Sequence, residues 1–467
     1  MVKSLFKFFI KLIFIYSVYV IISGAIIFRF NQPNTTEYHE QSVDRFYSDD
    51  TGPDRVVLLE EGKKAANAKI NLINNAERSI ELTYYYIKDG HISKLFLNSL
   101  IEASERGVQI KIIVDGIFNR SEFMKQTIQL INNTPNIQIK LYEPLNILTP
   151  WTINNRLHDK FMIIDKEIAI IGGRNMSDRY YDVDDYEGNL TNDREVLIYN
   201  TKIDNESSVL KQFSDYFTDL WTSTYSKKPK QSTNKNELKS FNTFKSELSD
   251  FTDTYKIIQP ELFYTKINWL SESYPTNKIT LIHNPLERLN KEPWVWQNII
   301  QLMEHSKECI MIQSPYVVPT KQMLDYMDES KIDFSKIKIL TNSISLNPNT
   351  FAVLGYQTKR NQLIDTGMTI YEYHGNHSLH AKAMTFDHRL SLVGSFNIDS
   401  RSTFLSTETM VVIDSEPFTE RFEDTIDSYI NDSYYVTTLK DEAILTKKNG
   451  IKNQLLVPLV EFFDFLI

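Results

Sequence analysis

The fold is decided by a stretch that occurs twice in this chain, first as RLHDKFMIID at residues 156–165 and GGRN at residues 172–175. The frame His-x-Lys-x4-Asp, followed by Gly-(Gly/Ser)-x-Asn, returns as HAKAMTFD at residues 380–387 and GSFN at residues 394–397. Every motif residue of the second copy lies 222 positions after its counterpart. One such motif can arise by chance, but two complete copies at equal spacing are not expected of incidental surface hairpins. We therefore expect the two copies to meet in space and to form one active site.

Each motif is expected to lie on a β-hairpin. Period-two alternation along a strand puts His158 and Lys160 on one face, and the same holds for the second copy. An imidazole and an ammonium cannot neutralise each other, whereas a phosphate between them would be bound by both. Asp165 and Asp387 fall at the predicted turns, and we assign them to holding the hairpins rather than to chemistry.

Two histidines at one phosphate can divide the work of transferring it. One attacks phosphorus and forms a phosphohistidine, and the other protonates the leaving group and then activates the incoming water or alcohol. The lysines hold the non-bridging oxygens and offset the charge that develops there. This chemistry needs no metal, and the sequence offers no convincing carboxylate cluster for one, so we expect neither a metal nor a cofactor. The catalytic candidates are the residues of the two motifs: His158, Lys160, Asp165, His380, Lys382 and Asp387.

Further candidates follow each motif. Those expected to bind the substrate phosphate are Asn175, Asn397 and Ser395. Each histidine also needs a partner for its other ring nitrogen. Glu408 begins an apolar strand after the second motif, and Glu195 holds the matching place after the first, with Asp193 as the alternative there.

Alternating helix and strand patterns before each motif predict an α/β architecture. In the first half, the hydrophobic spacing predicts a helix at about 65–76, a strand at 79–84, a helix at 93–106 and a strand at 108–114. The second half repeats this order with a helix near 299–303, strands at 309–312 and 336–341, and a helix at 350–365. Corresponding segments lie 230 or 222 residues apart, which predicts a duplicated domain.

An apolar segment at the start of the sequence predicts a membrane anchor. Lys3, Lys7 and Lys11 precede residues 12–28, which carry no charge and would span about 25 Å as a helix. A buried core helix is one alternative, and a signal peptide cleaved near the small residues 23–25 is a more serious one. Because the lysines precede the segment, the positive-inside rule puts the catalytic part on the non-cytoplasmic side.

Composition divides the rest of the chain. The expected units are an anchor at 1–30, a polar tether at 31–55, a first half at 56–225, a polar linker or insertion at 226–260, a second half at 261–440 and an apolar tail at 441–467. The lysine-rich stretch at 227–235 fits a solvated loop better than a patch for lipid phosphates. The tail is too short to span a bilayer, and it can either lie on a membrane surface or pack on the domain.

The net charge and the cysteine count argue against some classes of protein. The chain has 467 residues, enough for several domains, and a net charge of −9. Domains that bind nucleic acid usually carry a basic field, so nucleic acid is an unlikely partner by this criterion. The single cysteine, Cys309, excludes an intrachain disulfide and zinc sites built on cysteines. The sequence leaves the oligomeric state open.

The motifs resemble those of the phospholipase D superfamily and, within it, the bacterial cardiolipin synthases. The motif tails GGRNMSDRYY at 172–181 and GSFNIDSRS at 394–402 are similar to that branch, as are LTNS at 340–343, YEY at 371–373 and LVPLVE at 456–461. The resemblance implies a duplicated α/β fold, with two sandwich halves, mixed β-sheets, one active site in the cleft between them, and an N-terminal transmembrane helix. It also implies a bacterial inner or cell membrane; the single apolar segment predicts a single pass, whereas some synthases of this family carry two.

The resemblance implies an activity as well. A cardiolipin synthase moves a phosphatidyl group from one phospholipid to the hydroxyl of phosphatidylglycerol and releases glycerol or another head alcohol. Phosphatidylglycerol is then the expected substrate, with phosphatidylethanolamine as a second candidate. By resemblance alone, His158 is the nucleophile and His380 the general acid and base. The alternatives are a phospholipase D or single-strand nuclease, for which water is the acceptor, and a non-catalytic membrane scaffold.

Overall fold

The structure, a computed structural model, describes residues 2–31, 33, 42–183, 186–202, 206–230, 235–436 and 456–467, without the side chains of residues 2, 4 and 235–240. Parts of three expected units lie outside the described residues: residues 32 and 34–41 of the tether, 231–234 of the linker and 441–455 of the tail.

Both halves are built around a mixed β-sheet. The strands of the first half are β1 Asp54–Leu59, β2 Ser79–Tyr84, β3 Gln109–Asp115, β4 Ile137–Tyr142, β5 Arg156–Leu157, β6 Phe161–Ile164, β7 Ile168–Gly172, β8 Thr191–Asn192, β9 Glu195–Asn200, β10 Ser226–Lys227 and β11 Tyr274–Pro275. Those of the second half are β12 Lys278–His283, β13 Ile310–Gln313, β14 Ile337–Asn342, β15 Thr369–Tyr373, β16 Ser378–Leu379, β17 Ala383–Phe386, β18 Leu390–Gly394, β19 Ser406–Thr407, β20 Thr409–Asp414 and β21 Ser433–Tyr435.

The two sheets have the same topology. The first has the strand order β10-β4-β3-β2-β6-β7-β9-β1-β11, and the second, read from the corresponding edge, β21-β15-β14-β13-β17-β18-β20-β12. Each sheet has three parallel strands side by side. The innermost of them, β2 or β13, pairs antiparallel with the first strand of the motif hairpin, β6–β7 or β17–β18. Only β11 has no counterpart among the described strands. The predicted duplicated α/β fold is confirmed.

Helices account for much of the rest of the described chain, and most of them pack against the sheets. They are α1 Val2–Ile21, α2 Ile27–Phe30, α3 Gly62–Asn74, α4 His91–Glu105, α5 Glu122–Asn132, α6 Val209–Thr222, α7 Lys235–Ile258, α8 Glu261–Tyr264, α9 Trp294–His305, α10 Lys321–Leu324, α11 Thr350–Asp365, α12 Ser400–Phe404, α13 Glu416–Asn431 and α14 Val457–Phe462. Alternate side chains of one strand enter different cores: Ile112 and Val114 pack under α3 and α4, whereas Ile113 joins a core shared by both halves. The sheets are buried on both faces, which explains their nearly continuous apolar sequences.

Local sequence signals account for several boundaries. Asn349 caps α11, because its side chain accepts hydrogen bonds from the backbone N–H groups of Phe351 and Ala352. Gly107 and Gly367 follow α4 and α11 with φ of 101° and 92°, a conformation that favours glycine at a helix C-terminus. Both glycines lead directly into a parallel strand, so the same helix-to-strand turn is used twice.

The structure corrects three expected boundaries. The polar linker is largely a helix, α7, whose Phe244 and Leu248 are buried against the first half, so the expectation of a loop is wrong for its described part. Residues 261–275 belong to the first half, since β11 pairs with β1. The tether ends earlier than residue 55, because the 3-10 turn Val43–Phe46 is already packed and β1 begins at Asp54.

The apolar N-terminal segment is helical from Leu5 to Phe30, with a π-helical turn at Ile22–Ile26. It has a mean hydropathy of 2.2 and is the one helix among the described residues that is long and apolar enough to cross a membrane. None of its most apolar window is buried, which excludes the alternative of a core helix. The described part of the tail packs on the domain through Val460 and Phe465, while Leu459 and Phe462 remain about half exposed.

Candidate active site

The two motifs meet at the boundary between the halves. Just before each motif histidine, a two-residue strand pairs in parallel with a strand of the other half, β5 with β19 and β16 with β8. The backbone N–H of His158 then donates to the carbonyl of Thr407 (3.3 Å), and that of His380 to the carbonyl of Asn192 (2.7 Å). Each histidine is therefore fixed by hydrogen bonds to the opposite half.

The histidine side chains are paired crosswise. Nδ1 of His158 lies 2.9 and 3.0 Å from the two carboxylate oxygens of Glu408, and Nδ1 of His380 lies 2.6 Å from Oδ2 of Asp193. Both carboxylates are fully buried. A carboxylate at Nδ1 fixes the ring orientation and leaves Nε2 as the nitrogen that can react.

Glu195 does not orient a histidine, and this expectation is corrected. Its carboxylate pairs with the buried Lys69 and lies 3.6 Å from Arg174. The residue equivalent to Glu408 is Asp193, because the loop after the first motif is seven residues longer and the offset between the halves falls from 222 to 215. Aligning VLI at 196–198 with VVI at 411–413 would have found it.

Ser395 also has a different role from the expected one. Its hydroxyl donates to Glu408 (2.5 Å) and accepts from the backbone N–H of Thr409 (3.0 Å), so it holds the carboxylate and is not offered to a phosphate. The equivalent residue in the first half is Gly173, where a Cβ would lie 2.3 Å from Oδ1 of Asp193. The serine of the Gly-Ser tail thus holds Glu408, whereas the second glycine of the Gly-Gly tail leaves room for Asp193.

A buried lysine stands beside each histidine. Nζ of Lys160 donates to the carbonyl of His158 (2.5 Å), and Nζ of Lys382 lies 3.0 Å from Nδ1 of His380 and donates to the carbonyl of the same residue. Burial lowers the pKa of Lys160 to about 8 and that of Lys382 to about 7. An anionic phosphodiester between them would favour their charged forms, which is the expected behaviour of a phosphate site.

With no anion bound, burial and the lysine charges favour the neutral form of both histidines, but the two carboxylate partners differ. Burial and the charge on Lys382 lower the pKa of His380 to about 3, and burial with the neighbouring lysines lowers the pKa of His158 well below its ordinary value. Burial raises the pKa of Glu408 to about 7. Burial would also raise the pKa of Asp193, but His380 and Lys382 outweigh it and hold this pKa far below the usual range. The two carboxylates are therefore not equivalent.

This difference predicts a pH-dependent stability. The folded-state pKa of Glu408 is above its ordinary value of 4.5, so the folded protein holds this proton more tightly than the unfolded chain does. The resulting stabilisation is present at low pH and is lost as pH rises through about 7. Glu408→Gln removes the free-energy cost of ionising this buried carboxyl group, at most about 3 kcal/mol. The melting temperature of the variant, compared with that of the wild type, should therefore rise between pH 5 and pH 8. Asp193→Asn is the matched control, because the lowered pKa of Asp193 leaves nothing to titrate in that window. Parallel melting curves for Glu408→Gln and the wild type across this range would contradict the prediction.

The two motif asparagines each keep a side-chain oxygen that is unpaired within the described part of the chain. Asn175 and Asn397 are buried, and Oδ1 of each has no hydrogen-bonding partner among the described residues. The backbone N–H of Asn397 donates to Oγ of Ser402 (3.2 Å), which positions it at the cavity. Asn175 has the corresponding place in the first half. Their role in phosphate binding stays a prediction.

The motif aspartates lie away from this cluster. Asp165 accepts hydrogen bonds from the backbone N–H groups of Glu77, Arg78 and Ser79 at 2.7–2.9 Å, and Asp387 accepts from Ser306 and three backbone N–H groups. The four-residue strand β6, about 13 Å long, separates Asp165 from the histidine end of the hairpin. Both aspartates therefore hold the turns of their hairpins and do not reach the reacting groups.

A cavity of about 310 Å³ opens over His158. Asn397, Glu408 and Arg401 form its polar part, while aromatic and aliphatic side chains form its rim: Tyr85, Tyr316, Phe351, Leu466 and Ile467. Tyr85 packs edge-on against His158, and Tyr316 against His380. Sequence reasoning missed Arg401 and the residues of the rim. Arg401 lies within the quoted second motif tail, but the rim residues come from distant segments and give no local signal.

Outside this cavity, one group among the described residues has the side chains of a metal site. Cys309, His388 and Glu423 lie at the turn of the second hairpin, with Sγ 3.2 Å from Nε2 and Nδ1 2.6 Å from the carboxylate. His388 is largely exposed, and none of the three touches the motif histidines. The phosphate chemistry assigned to the cleft draws on none of them.

Comparison with known proteins decides the family. The family described as "Cardiolipin synthase, PLD-like domain" matches residues 70–221 and 299–430, more than half of the chain and both motif hairpins. The chain belongs to this family. It is thus an enzyme of the phospholipase D superfamily, and the predicted membership of the cardiolipin synthase branch is confirmed.

Individual relatives agree with this assignment. Cardiolipin synthase C of Escherichia coli (strain K12) is 26% identical over 397 residues, which cover 77% of this chain and 81% of that protein. A cardiolipin synthase of Clostridium perfringens (strain SM101 / Type A) is 25% identical over 405 residues, covering 85% and 72%. The crystal structure of phosphatidylserine synthase from Haemophilus influenzae Rd KW20 superposes with a TM-score of 0.63 at 13% identity, covering 88% of this chain and 95% of that one, and shows the same fold.

Proposed function

We propose that this protein is a membrane-anchored phosphatidyltransferase of the cardiolipin synthase type. The observation that carries the proposal is the pair of motif histidines, whose side chains are 14% and 12% exposed, each held by a carboxylate of the opposite half and each beside a buried lysine. Family membership supports a phospholipid substrate, and the exposed apolar helix Leu5–Phe30 supports attachment to a membrane.

In the first step, Nε2 of His158 attacks the phosphorus of a phosphatidylglycerol. The bond from phosphorus to the head-group oxygen breaks. His380, which the bound anionic phosphodiester and Asp193 keep protonated on both ring nitrogens, donates the proton on Nε2 to the departing glycerol. Lys160 and Lys382 stabilise the non-bridging oxygens. The products are free glycerol and a phosphatidyl group on His158.

In the second step, a second phosphatidylglycerol takes the place of the glycerol. His380, now neutral, accepts the proton of its hydroxyl group, and the oxygen attacks the phosphohistidine. The bond from phosphorus to Nε2 of His158 breaks, and His380 is protonated again. Two molecules of phosphatidylglycerol thereby give one cardiolipin and one glycerol.

The carboxylate partners support this division of roles. A general acid must carry a proton, and an ionised carboxylate beside the ring favours that state. Asp193, with its lowered pKa, provides this for His380. Glu408, whose pKa is raised to about 7, is less fully ionised than Asp193. It therefore stabilises a cationic His158 less, and the nucleophile stays neutral.

Product analysis tests the proposal. The full chain, supplied with phosphatidylglycerol vesicles, should produce cardiolipin and one glycerol per cardiolipin, measured by mass spectrometry and a coupled glycerol assay. His380→Ala should abolish both products, whereas His388→Ala, which removes an exposed histidine outside the cleft, should not change them. Phosphatidic acid without cardiolipin would contradict the transferase and indicate a hydrolase that uses water as acceptor.

A further inference from the structure

The apolar N-terminal helix contacts the catalytic domain along its second half, from Tyr16 to Arg29. The hydroxyl groups of Tyr16 and Tyr19 donate to the carbonyl oxygens of Ile147 and Leu148, both at 2.7 Å. Nearer the end of the helix, the side chain of Asn154 donates to the carbonyl of Gly24 (2.7 Å). The eight steps along the chain from Tyr16 to Gly24 correspond to about 12 Å along the helix axis.

Gly24 permits the close approach of the two segments. A Cβ at this position would lie 3.3 Å from Cβ of Pro150. Gly24 also lies within the π-helical turn Ile22–Ile26, the part of the helix that meets the 3-10 turn Pro150–Asn154. The small residues that suggested a cleavage site in the sequence are thus part of a packed contact.

The loop that meets the helix is apolar and exposed. No charged residue occurs between Glu143 and Arg156. At its tip, Ile147 and Leu148 are 63% and 71% exposed, and Leu145 is 40% exposed. Adjacent exposed apolar side chains of this kind mark an interaction site rather than an ordinary soluble surface.

Polar backbone groups at the tip of this loop are hydrogen-bonded within the protein, as a medium without water requires. Irregular backbone at membrane depth is tolerated only where its polar groups are satisfied inside the protein. The two tyrosines satisfy the carbonyls of the loop tip, and the side chain of Asn146 accepts from the backbone N–H of Leu148 (3.0 Å). Tyrosine has an apolar ring and a polar end, which suits it to this role.

We propose that residues 145–148 form a membrane-inserted loop, whose tip lies among the acyl chains beside the N-terminal helix and holds the cavity mouth against the lipid surface. This rests on one part of the proposed function, that the helix spans a bilayer. The occupant of the apolar surface is the membrane itself, because the surface is continuous with the helix that crosses it.

Two connections join the inserted loop to the cavity. The loop leads into Arg156, whose guanidinium donates to the carbonyl of Thr152 (2.8 Å) and to Asp115 (3.0 Å), two residues before His158. Asn154, which binds Gly24, also lies 3.5 Å from the guanidinium of Arg401 at the cavity. These contacts connect the loop and the N-terminal helix to residues that line the cavity.

The tail extends the same surface on the other side of the helix. Arg29 lies over the ring of Phe462 at 4.8 Å and donates to its carbonyl (2.9 Å). Leu459 and Phe462 remain about half exposed, and Leu466 and Ile467 reach the cavity rim. The tail therefore lines the cavity, and both the tail and the loop contact the N-terminal helix.

Depth-dependent fluorescence quenching tests the insertion. With Cys309→Ser as background, the full chain carries one cysteine at Leu148, Ile13 or Ile257, labelled with an environment-sensitive dye and reconstituted into phosphatidylcholine–phosphatidylglycerol vesicles. Label at Leu148→Cys should emit at shorter wavelength and be quenched by lipids with a spin label on the acyl chain. Ile257→Cys, 83% exposed on α7, is the control and should emit as in water.

The label in the helix separates two kinds of failure. Quenching at Ile13→Cys without quenching at Leu148→Cys would overturn the inserted loop while keeping the anchor. Absence of quenching at both positions would overturn the membrane anchor and, with it, the loop.

A charge substitution gives a second, functional readout. Ile147→Asp combined with Leu148→Asp should lower cardiolipin formation from vesicles about tenfold, because carboxylates resist entry into hydrocarbon. Turnover of a short-chain, water-soluble phosphatidylglycerol should not change. Ile257→Asp with Ile258→Asp, an equally exposed apolar pair, is the matched control and should be neutral in both assays. Equal losses on both substrates, or no loss on vesicles, would overturn the proposal.

Discussion

Replacement of His380 by asparagine is expected to leave a phosphatidyl group bound covalently to His158. The variant keeps the nucleophile and both lysines, but lacks the group that protonates the leaving oxygen and later activates the acceptor. Steady-state formation of cardiolipin should fall by about 10²–10⁴-fold, the usual contribution of general acid–base catalysis. With a phosphatidyl nitrophenol as donor, the leaving group departs as a stable anion and needs no proton. The first step then proceeds while the second remains blocked.

The measurement is a burst of one nitrophenol per protein, followed by peptide mapping of the phosphatidyl group. The label should be on the peptide containing His158 and should be lost in acid, as expected of a phosphohistidine. His158→Asn is the matched control, with the general acid intact and the nucleophile removed, and it should show no burst. A burst from His158→Asn, with label on His380, would exchange the two roles and contradict the proposed order.

The fold could be predicted to a large extent because its signals are local. Strand β2 falls at the predicted residues 79–84 and α11 at 350–365, since hydrophobic period and a glycine after the helix are visible in a short window. The hairpins also follow from the motifs, with left-handed backbone at Asp165 and Asp387 in the expected turns. Helix α7 was missed because its apolar residues follow a lysine-rich stretch that dominates the composition there.

The site was predicted only in part because its pairings are non-local. The motif histidines and lysines come together as expected, yet the partner of His380 is Asp193 and not Glu195. That choice depends on the length of a loop, which shifts the register between the halves by seven residues. The contact between Tyr16 and the loop at Ile147 spans 131 residues and follows from no periodic pattern in either segment.

Asp193→Asn should slow cardiolipin formation by about 10²–10⁴-fold without removing any reacting group. An amide at this position donates to Nδ1 of His380 and so places the ring proton on Nε2, where the nitrogen can no longer accept the proton of the incoming hydroxyl; the same change in a serine protease has an effect of about 10⁴. Because Nδ1 of His380 is bound by Asp193 alone among the carboxylates described, no other residue corrects the tautomer. The rate is measured with phosphatidylglycerol vesicles.

The crosswise pairing makes the two carboxylate substitutions distinguishable. With phosphatidyl nitrophenol, Asp193→Asn should still give the burst, since only His158 acts in that step, and should then turn over slowly. Glu408→Gln should lose the burst itself, because its amide places the proton on Nε2 of His158, the attacking atom. Lys69→Met is the matched control for a buried ion pair next to the site, since it disturbs Glu195 and neither histidine partner. If both carboxylate variants lost the burst equally, the carboxylates would serve the fold of the cleft and not the separate steps, and the assignment of one histidine to each step would fail with them.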